Sequence, residues 1–247
     1  MTEATPVDPG PGPRLSLVIP VFNERENLAP LVSELAGVLR PAGDPFEAIF
    51  VDDGSTDGSG EVLRDLRAVH PEIRVLRFPG NRGQTAAFSA GFRAARGEFV
   101  VTLDADLQND PRDIPRLLEA LEGADAVAGI RRRRADSLVR RVSSRIANSV
   151  RNRVTGDDIR DTGCSLKAFR REALGRLPLY RGMHRFLPTL VRIAGGRVAQ
   201  IEVNHRPRVA GTSKYGVFNR LFVGIADLLA VRWMKSRRVD DDYEEWT

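Results

Sequence analysis

The sequence predicts an α/β fold in which a mainly parallel sheet carries helices on both faces. Three observations predict it. Short apolar, β-rich runs alternate with helix-length stretches from residue 15 to about residue 130, the rhythm of βαβ units. Two of those runs end in clusters of Asp, where parallel sheets place their ligands. The composition, 42% hydrophobic and 29% charged over 247 residues, is that of a chain able to bury a core, and the length fits one large domain or two small ones.

Residues 1–13 contain four prolines and little apolar content, which predicts a disordered tail. The first apolar run, Leu15–Val21, precedes an amphipathic stretch from Glu26 to Leu39. Glu47–Val51 precedes a helical stretch from Gly60 to Val69, and Ile73–Phe78 precedes Gln84–Ala95. Glu98–Leu103 is a fourth strand, followed by a helix over Asp113–Leu121 and a fifth strand over Ala124–Ala128. After about residue 130 the rhythm stops. Arg131–Thr155 reads as one basic helix, with Leu138, Val142, Ile146, Val150 and Val154 recurring every four residues. Mixed short elements follow, and Val217–Trp233 reads as a last helix. This tail is too irregular to make a core of its own, so one domain is expected.

Charge and cysteine narrow the class. The N-terminus has no apolar stretch of a secretory signal, and no run reaches the length of a membrane span. The single cysteine, Cys164, excludes an intrachain disulfide and a Cys-based zinc cluster and fits a reducing, cytoplasmic setting. The basic excess is local: residues 131–160 hold ten Arg and three Asp, a net +7 in a chain of net +5. An anionic membrane surface suits such a segment. Nucleic acid does not, because no aromatic residues interleave with the Arg and no reader motif is present. The three His are scattered without metal-ligand spacing and read as structural.

The chemistry sits in the two Asp clusters. One is Asp52-Asp53-Gly54-Ser55-Thr56-Asp57, the other Asp104-Ala105-Asp106-Leu107-Gln108. Either alone could be turn and cap chemistry. Two at the same sheet edge concentrate like charges that need a partner. The hard oxygens of Asp104, Asp106 and Gln108 suit Mg²⁺ or Mn²⁺, which would hold a nucleotide diphosphate. No phosphate-binding G-x-x-x-x-G-K-[ST] loop is present, and no G-x-G-x-x-G follows the first strand. A P-loop NTPase and a dinucleotide dehydrogenase are thereby disfavoured.

The runs LSLVIPVFNERENL, VDDGSTDGS and NRGQTAAFSAGFRAARGEFVVTLDADLQNDP, with DTGCSLKAFRREAL and HRPRVAGTSKYG further on, resemble family 2 glycosyltransferases of the GT-A nucleotide-diphospho-sugar transferase fold. More narrowly the chain is similar to the polyprenyl-phosphate glycosyltransferases, over about residues 15–235. The resemblance implies a GT-A domain over 14–215 and a C-terminal amphipathic helix with an acidic tail over 216–247. It implies that Pro20, Glu24, Asp52 and Asp53 bind the nucleoside of a nucleotide-sugar donor, UDP- or GDP-linked. Asp104, Asp106 and Gln108 would lie at the metal and diphosphate, and Arg131 at a phosphate. Asp161 would lie near the sugar and acceptor. Arg206 or Arg208, with Ser213 and Lys214, would belong to a basic loop closing over the phosphates.

The implied reaction is an inverting single displacement onto a polyprenyl phosphate at the cytoplasmic face of the membrane. A phosphate acceptor is already a nucleophile. A sugar hydroxyl would need a base, for which Asp161 is the candidate. A soluble family 2 enzyme acting on a saccharide or small molecule is the alternative, and a catalytically silent nucleotide-sugar-binding protein a third. Relatives that continue into membrane helices differ from this sequence, which ends VDDDYEEWT. The expectation is peripheral attachment or a separate membrane-anchoring protein. Val217–Trp233, with Trp233 and the basic residues Arg232, Lys235, Arg237 and Arg238, suits either a core helix or an interfacial one. Cys164 is expected to pack rather than react, and Gly80, Gly83, Gly91 and Gly97 to serve turns and close helix packing.

Overall fold

A computed structural model describes residues 12–132, 151–207 and 217–238, without the side chains of 217–223. Most of the expected tail and basic helix, the acidic end, and Arg208, Ser213 and Lys214 lie outside the described residues.

Seven strands form one sheet in the order β3-β2-β1-β4-β6-β5-β7. β1 (Leu15–Val21), β2 (Phe46–Asp52), β3 (Ile73–Arg77) and β4 (Phe99–Thr102) pair in parallel. Helices α1 (Arg25–Ala42), α2 (Ser59–Val69) and α3 (Gln84–Ala94) make the crossovers. α4 (Ile114–Ala120) leads into β5 (Ala126–Arg131). The predicted α/β fold is present, and its first half follows the expected elements in order.

Alternation along β1 shows why the sheet is covered on both sides. Leu15, Leu17, Ile19 and Val21 join a core with Leu28, Leu31 and Leu35 of α1 and Ile114 and Leu117 of α4. Val18 faces a second core with Ala87 and Phe88 of α3. Successive strand side chains point to opposite faces, so a strand apolar at nearly every position needs helices on both. Gly91 sets the approach of α3: a Cβ there would stand 2.2 Å from Val18 Cγ1. Gly97 likewise allows β4 to enter beside β1, where a Cβ would meet the backbone N of Ser16 at 2.7 Å.

The second half differs from the expected irregular tail. β6 (Lys167–Arg170) runs antiparallel between β4 and β5, and β7 (Val198–Val203) pairs parallel with β5 at the edge. α5 (Arg171–Gly175), α6 (Leu187–Ile193) and α7 (Val217–Ser236) follow these strands. Leu174, Leu187, Leu190, Val191 and Val231 complete the second core. Arg131 is the last residue of β5 rather than the start of a helix, because β5 extends three residues beyond the predicted Ala128 to match β7. Helical backbone is present at 151–155.

The topology fixes the site. β5 runs in the direction of β4 because both are antiparallel to β6. The carboxyl ends of β1, β2, β4 and β5 and the entry to β6 therefore share one edge of the sheet.

Candidate active site

The first two loops of that edge are laced together. Asn23 N donates to Ser55 Oγ (3.0 Å), Glu24 N to Ser59 Oγ (3.1 Å) and Arg25 N to Asp57 Oδ2 (3.1 Å). Asn23 holds φ +55°, and its Oδ1 accepts from Thr56 N. Asn tolerates this left-handed geometry better than most residues. Pro20 is the penultimate residue of β1, just before this lacing, and Glu24 is held by Asn27, whose Nδ2 donates to Oε2 at 2.6 Å.

Asp52 and Asp53 are both buried. Asp52 Oδ1 accepts from Ser55 N at 2.9 Å, and Arg77 Nε lies 3.3 Å from Oδ2. Asp53 accepts from Arg82 N (2.6 Å) and Gly83 N (2.9 Å). This pair fixes the loop between β3 and α3 against the end of β2. Gly54 allows the contact, since a Cβ there would stand 2.6 Å from Gly80 backbone carbon.

The Asp104–Gln108 turn follows β4. Leu107 adopts φ +61°, a costly geometry for a bulky side chain of the kind found at functional sites. It is held by its surroundings. Leu107 is buried in the first core, Gln108 N donates to Asp106 Oδ1 at 3.2 Å, and Asp104 N donates to Asn109 Oδ1 at 3.2 Å. Gln84, at the start of α3, donates from Nε2 to Asp104 Oδ1 at 2.8 Å. The segment after β7 closes the turn: Arg206 N donates to Gln108 O, and Gln108 Nε2 to Arg206 O. Asn109 also bridges His205 and accepts from Ser165 Oγ at 2.8 Å.

Arg131 and Asp161 form a two-pronged pair beside this turn. Nε and Nη2 of Arg131 donate to the two carboxylate oxygens at 2.7 and 2.8 Å, with side chains 14% and 11% exposed. Arg206 is clamped through Nη1 to Glu34 (2.9 and 2.7 Å) and through Nη2 to Asp110 (2.8 Å). Burial pushes the Asp110 carboxyl up, but the hydrogen bonds of Arg112 and the charge of Arg206 outweigh it, so it sits below its ordinary range.

Behind the turn, Lys167 is buried on β6 and donates from Nζ to Cys164 O. Burial holds its ammonium below the ordinary lysine range. Burial also pushes the Cys164 thiol up, against the nearby Lys167 charge. A buried, protonated thiol packs rather than reacts, as expected from the sequence.

Asp104 and Asp106 bring two carboxylates to one turn, the oxygen chemistry that Mg²⁺ or Mn²⁺ takes. Among the described residues no group of three or more His, Cys, Asp or Glu could hold a metal ion by itself. Mg²⁺ is commonly held by one or two carboxylates, with substrate phosphates and water completing its shell. Gln84, Asn109 and Asp110, which position the site, lie within the quoted NRGQ…LQNDP run without being singled out there, and Glu34 lies outside every quoted motif. Their roles arise from chain segments far apart in sequence.

The chain matches the family model for Glycosyl transferase family 2 over residues 16–177. The chain belongs to glycosyltransferase family 2. This glycosyltransferase is 40% identical over 232 residues to a dodecaprenyl-phosphate galacturonate synthase of Rhizobium johnstonii, covering 91% of this chain and 68% of that one. It is 41% identical over 207 residues to an undecaprenyl-phosphate 4-deoxy-4-formamido-L-arabinose transferase of Aeromonas hydrophila, covering 83% and 64%. It thus spans about two thirds of the length of these relatives. A mannosyltransferase from Pyrobaculum calidifontis, in complex with GDP-Man and Mn²⁺, superposes with a TM-score of 0.65 at 23% identity over 95% of this chain and 67% of that one. The fold of the glycosyltransferase is GT-A. No helix among its described residues is long and apolar enough to cross a membrane.

His184 offers a stability test of the wall behind α3. Thr85 Oγ1 lies 2.8 Å from its Nδ1 and accepts from Gly182 N at 3.0 Å. Burial, then the charges of Arg185 and Lys167, push its pKa down to about 3. The folded state therefore keeps the imidazole neutral where the unfolded chain protonates it. The stability from this group is full above about pH 6.5 and is lost as pH falls toward 3, on the order of a few kcal/mol in all. His184→Asn is expected to flatten the loss of melting temperature between pH 7 and pH 4.5. An unchanged pH slope would overturn the assignment.

Proposed function

We propose that this glycosyltransferase moves a sugar from a UDP- or GDP-linked donor to a polyprenyl phosphate by an inverting single displacement. It works with Mg²⁺ or Mn²⁺ as a peripheral protein at the cytoplasmic face of the membrane. The observation that carries this reading is the strained Asp104–Gln108 turn set beside the Arg131–Asp161 pair at one sheet edge. The two relatives named above, one a dodecaprenyl-phosphate galacturonate synthase and the other an undecaprenyl-phosphate 4-deoxy-4-formamido-L-arabinose transferase, support it.

Asp104 and Asp106, with Gln108, are the residues that would hold the cation. When bound, the ion neutralises charge on the departing nucleoside diphosphate. Pro20, Glu24, Asp52 and Asp53 flank the crevice on the nucleoside side. Arg131 would offer its guanidinium to a phosphate, and Arg206 or Arg208, with Ser213 and Lys214, would contribute to holding the phosphates. The acceptor phosphate, with a second pKa of about 6, needs no base at neutral pH. Both oxygens of Asp161 accept from Arg131, which suits a holder of Arg131 better than the free base a sugar hydroxyl would need.

A transfer assay with Mn²⁺ or Mg²⁺, undecaprenyl phosphate and a panel of labelled UDP- and GDP-sugars tests this. Metal-dependent label in the lipid phase from one donor, abolished by EDTA, is expected. Release of nucleoside diphosphate only with an added saccharide would replace the acceptor. Donor binding without turnover would replace the activity.

A further inference from the structure

We infer that the outward face of α7 is a docking surface for an anionic lipid leaflet. The inference rests on the proposed function only in its choice of membrane. Its physical basis is separate from the catalytic edge.

α7 has two faces. Its inward face is anchored: Val231 is fully buried in the second core, and Leu228, Ala230 and Met234 pack against it. The outward face carries Ile225, Leu229 and Trp233 at intervals of four, 48%, 58% and 63% exposed. An i, i+4, i+8 row is one stripe of a helix. These three are most of the exposed large hydrophobic residues among the described ones.

The charge around the stripe selects the occupant. Arg232, Lys235, Arg237 and Arg238 are exposed at the same end as Trp233. Asp227, the acid within this part of the helix, packs on Gly182, where a Cβ would stand 2.3 Å from its Oδ2. Lys235 Nζ donates to Thr155 O (2.9 Å) and Gly156 O (3.4 Å). That contact holds Thr155 and Gly156, at the end of the Arg-rich stretch, beside α7, and Arg153 two residues before is exposed. An apolar stripe ending in Trp and rimmed by cations is what an anionic headgroup layer accepts. A second copy would bring the same cations against this end.

The surface is tied to the site. Gly182, under Asp227, donates to Thr85 Oγ1, and the neighbouring Gln84 donates to Asp104. A leaflet docked on α7 would therefore stand at a set distance from the Asp104–Gln108 turn.

The test is co-sedimentation of the full chain with phosphatidylcholine vesicles, with and without phosphatidylglycerol. Wild-type protein is expected to pellet with the anionic vesicles and to be weakened by salt. The variant Ile225→Ser/Leu229→Ser/Trp233→Ser should bind them at least about 10-fold more weakly with an unchanged circular dichroism spectrum. Arg232→Gln/Arg237→Gln/Arg238→Gln should lose the preference for anionic vesicles. Equal binding by the first variant, or wild-type protein left in solution, would overturn the inference. So would a dimer in gel filtration that the first variant dissociates without changing vesicle binding. Transfer to a short, water-soluble polyprenyl phosphate separates the two readings. The stripe variant should keep that activity, and its absence from wild-type protein would count against the reaction and not against the surface.

Discussion

Asp106→Asn is expected to lower transfer by about 10³-fold, the order that loss of a charge stabilising the leaving group produces, while the chain melts where the wild type does. The separation of the two effects follows from geometry. Asp106 Oδ1 accepts from Gln108 N, and an Asn oxygen can accept the same bond, so the turn with Leu107 at φ +61° persists. What the substitution removes is one negative charge at the proposed cation site. Turnover at the wild-type rate would remove Asp106 from that site. A matching fall in melting temperature would make it a support of the turn instead.

The second large effect is on stability. Asp161→Asn removes the carboxylate charge that faces the Arg131 guanidinium, 14% exposed. Breaking a buried pair from one side costs about 3 kcal/mol or more, because the remaining charge is still desolvated. Arg131→Met with Asp161→Leu should recover much of that loss, since neither member of the pair is then left facing a missing partner. Denaturant unfolding of Arg131→Met, Asp161→Leu and the double variant measures the coupling. Additive losses would show that the pair acts through packing alone. Transfer activity should stay low in Arg131→Met and in the double variant, because the proposed phosphate contact is gone even where stability returns.

The βαβ half of the fold was legible because its code is local. The Leu15–Val21 run, the 3–4 spacing of Leu28, Leu31, Leu35 and Leu39 in α1, and the Gly residues at 91 and 97 each announce their role within a few positions. The Asp clusters were legible for the same reason: each follows a strand directly. β6 and β7 were not. Lys167–Arg170 has four residues, with a cation at each end, too short for a period to emerge. Val198–Val203 is a half-exposed edge strand. The burial of Lys167 on β6 comes from insertion between β4 and β5, which nothing in its neighbours states.

The site divides in the same way. The sequence by itself determined the class of the chain, the strand ends that carry carboxylates, and the absence of a glycine phosphate cradle. These depend on residue types at short spacing. Only the tertiary structure decided which groups meet. It joined Arg131 to Asp161 across 30 residues, Gln84 to Asp104 across 20, and Arg206 to Glu34 across 172. It also decided which side of α7 is buried, through Val231. The physical reason is that hydrophobic periodicity sets each element and its apolar face. Pairing between distant polar groups depends on sheet order and strand direction, and here one antiparallel strand brings the entry to β6 to the edge where β4 and β5 end.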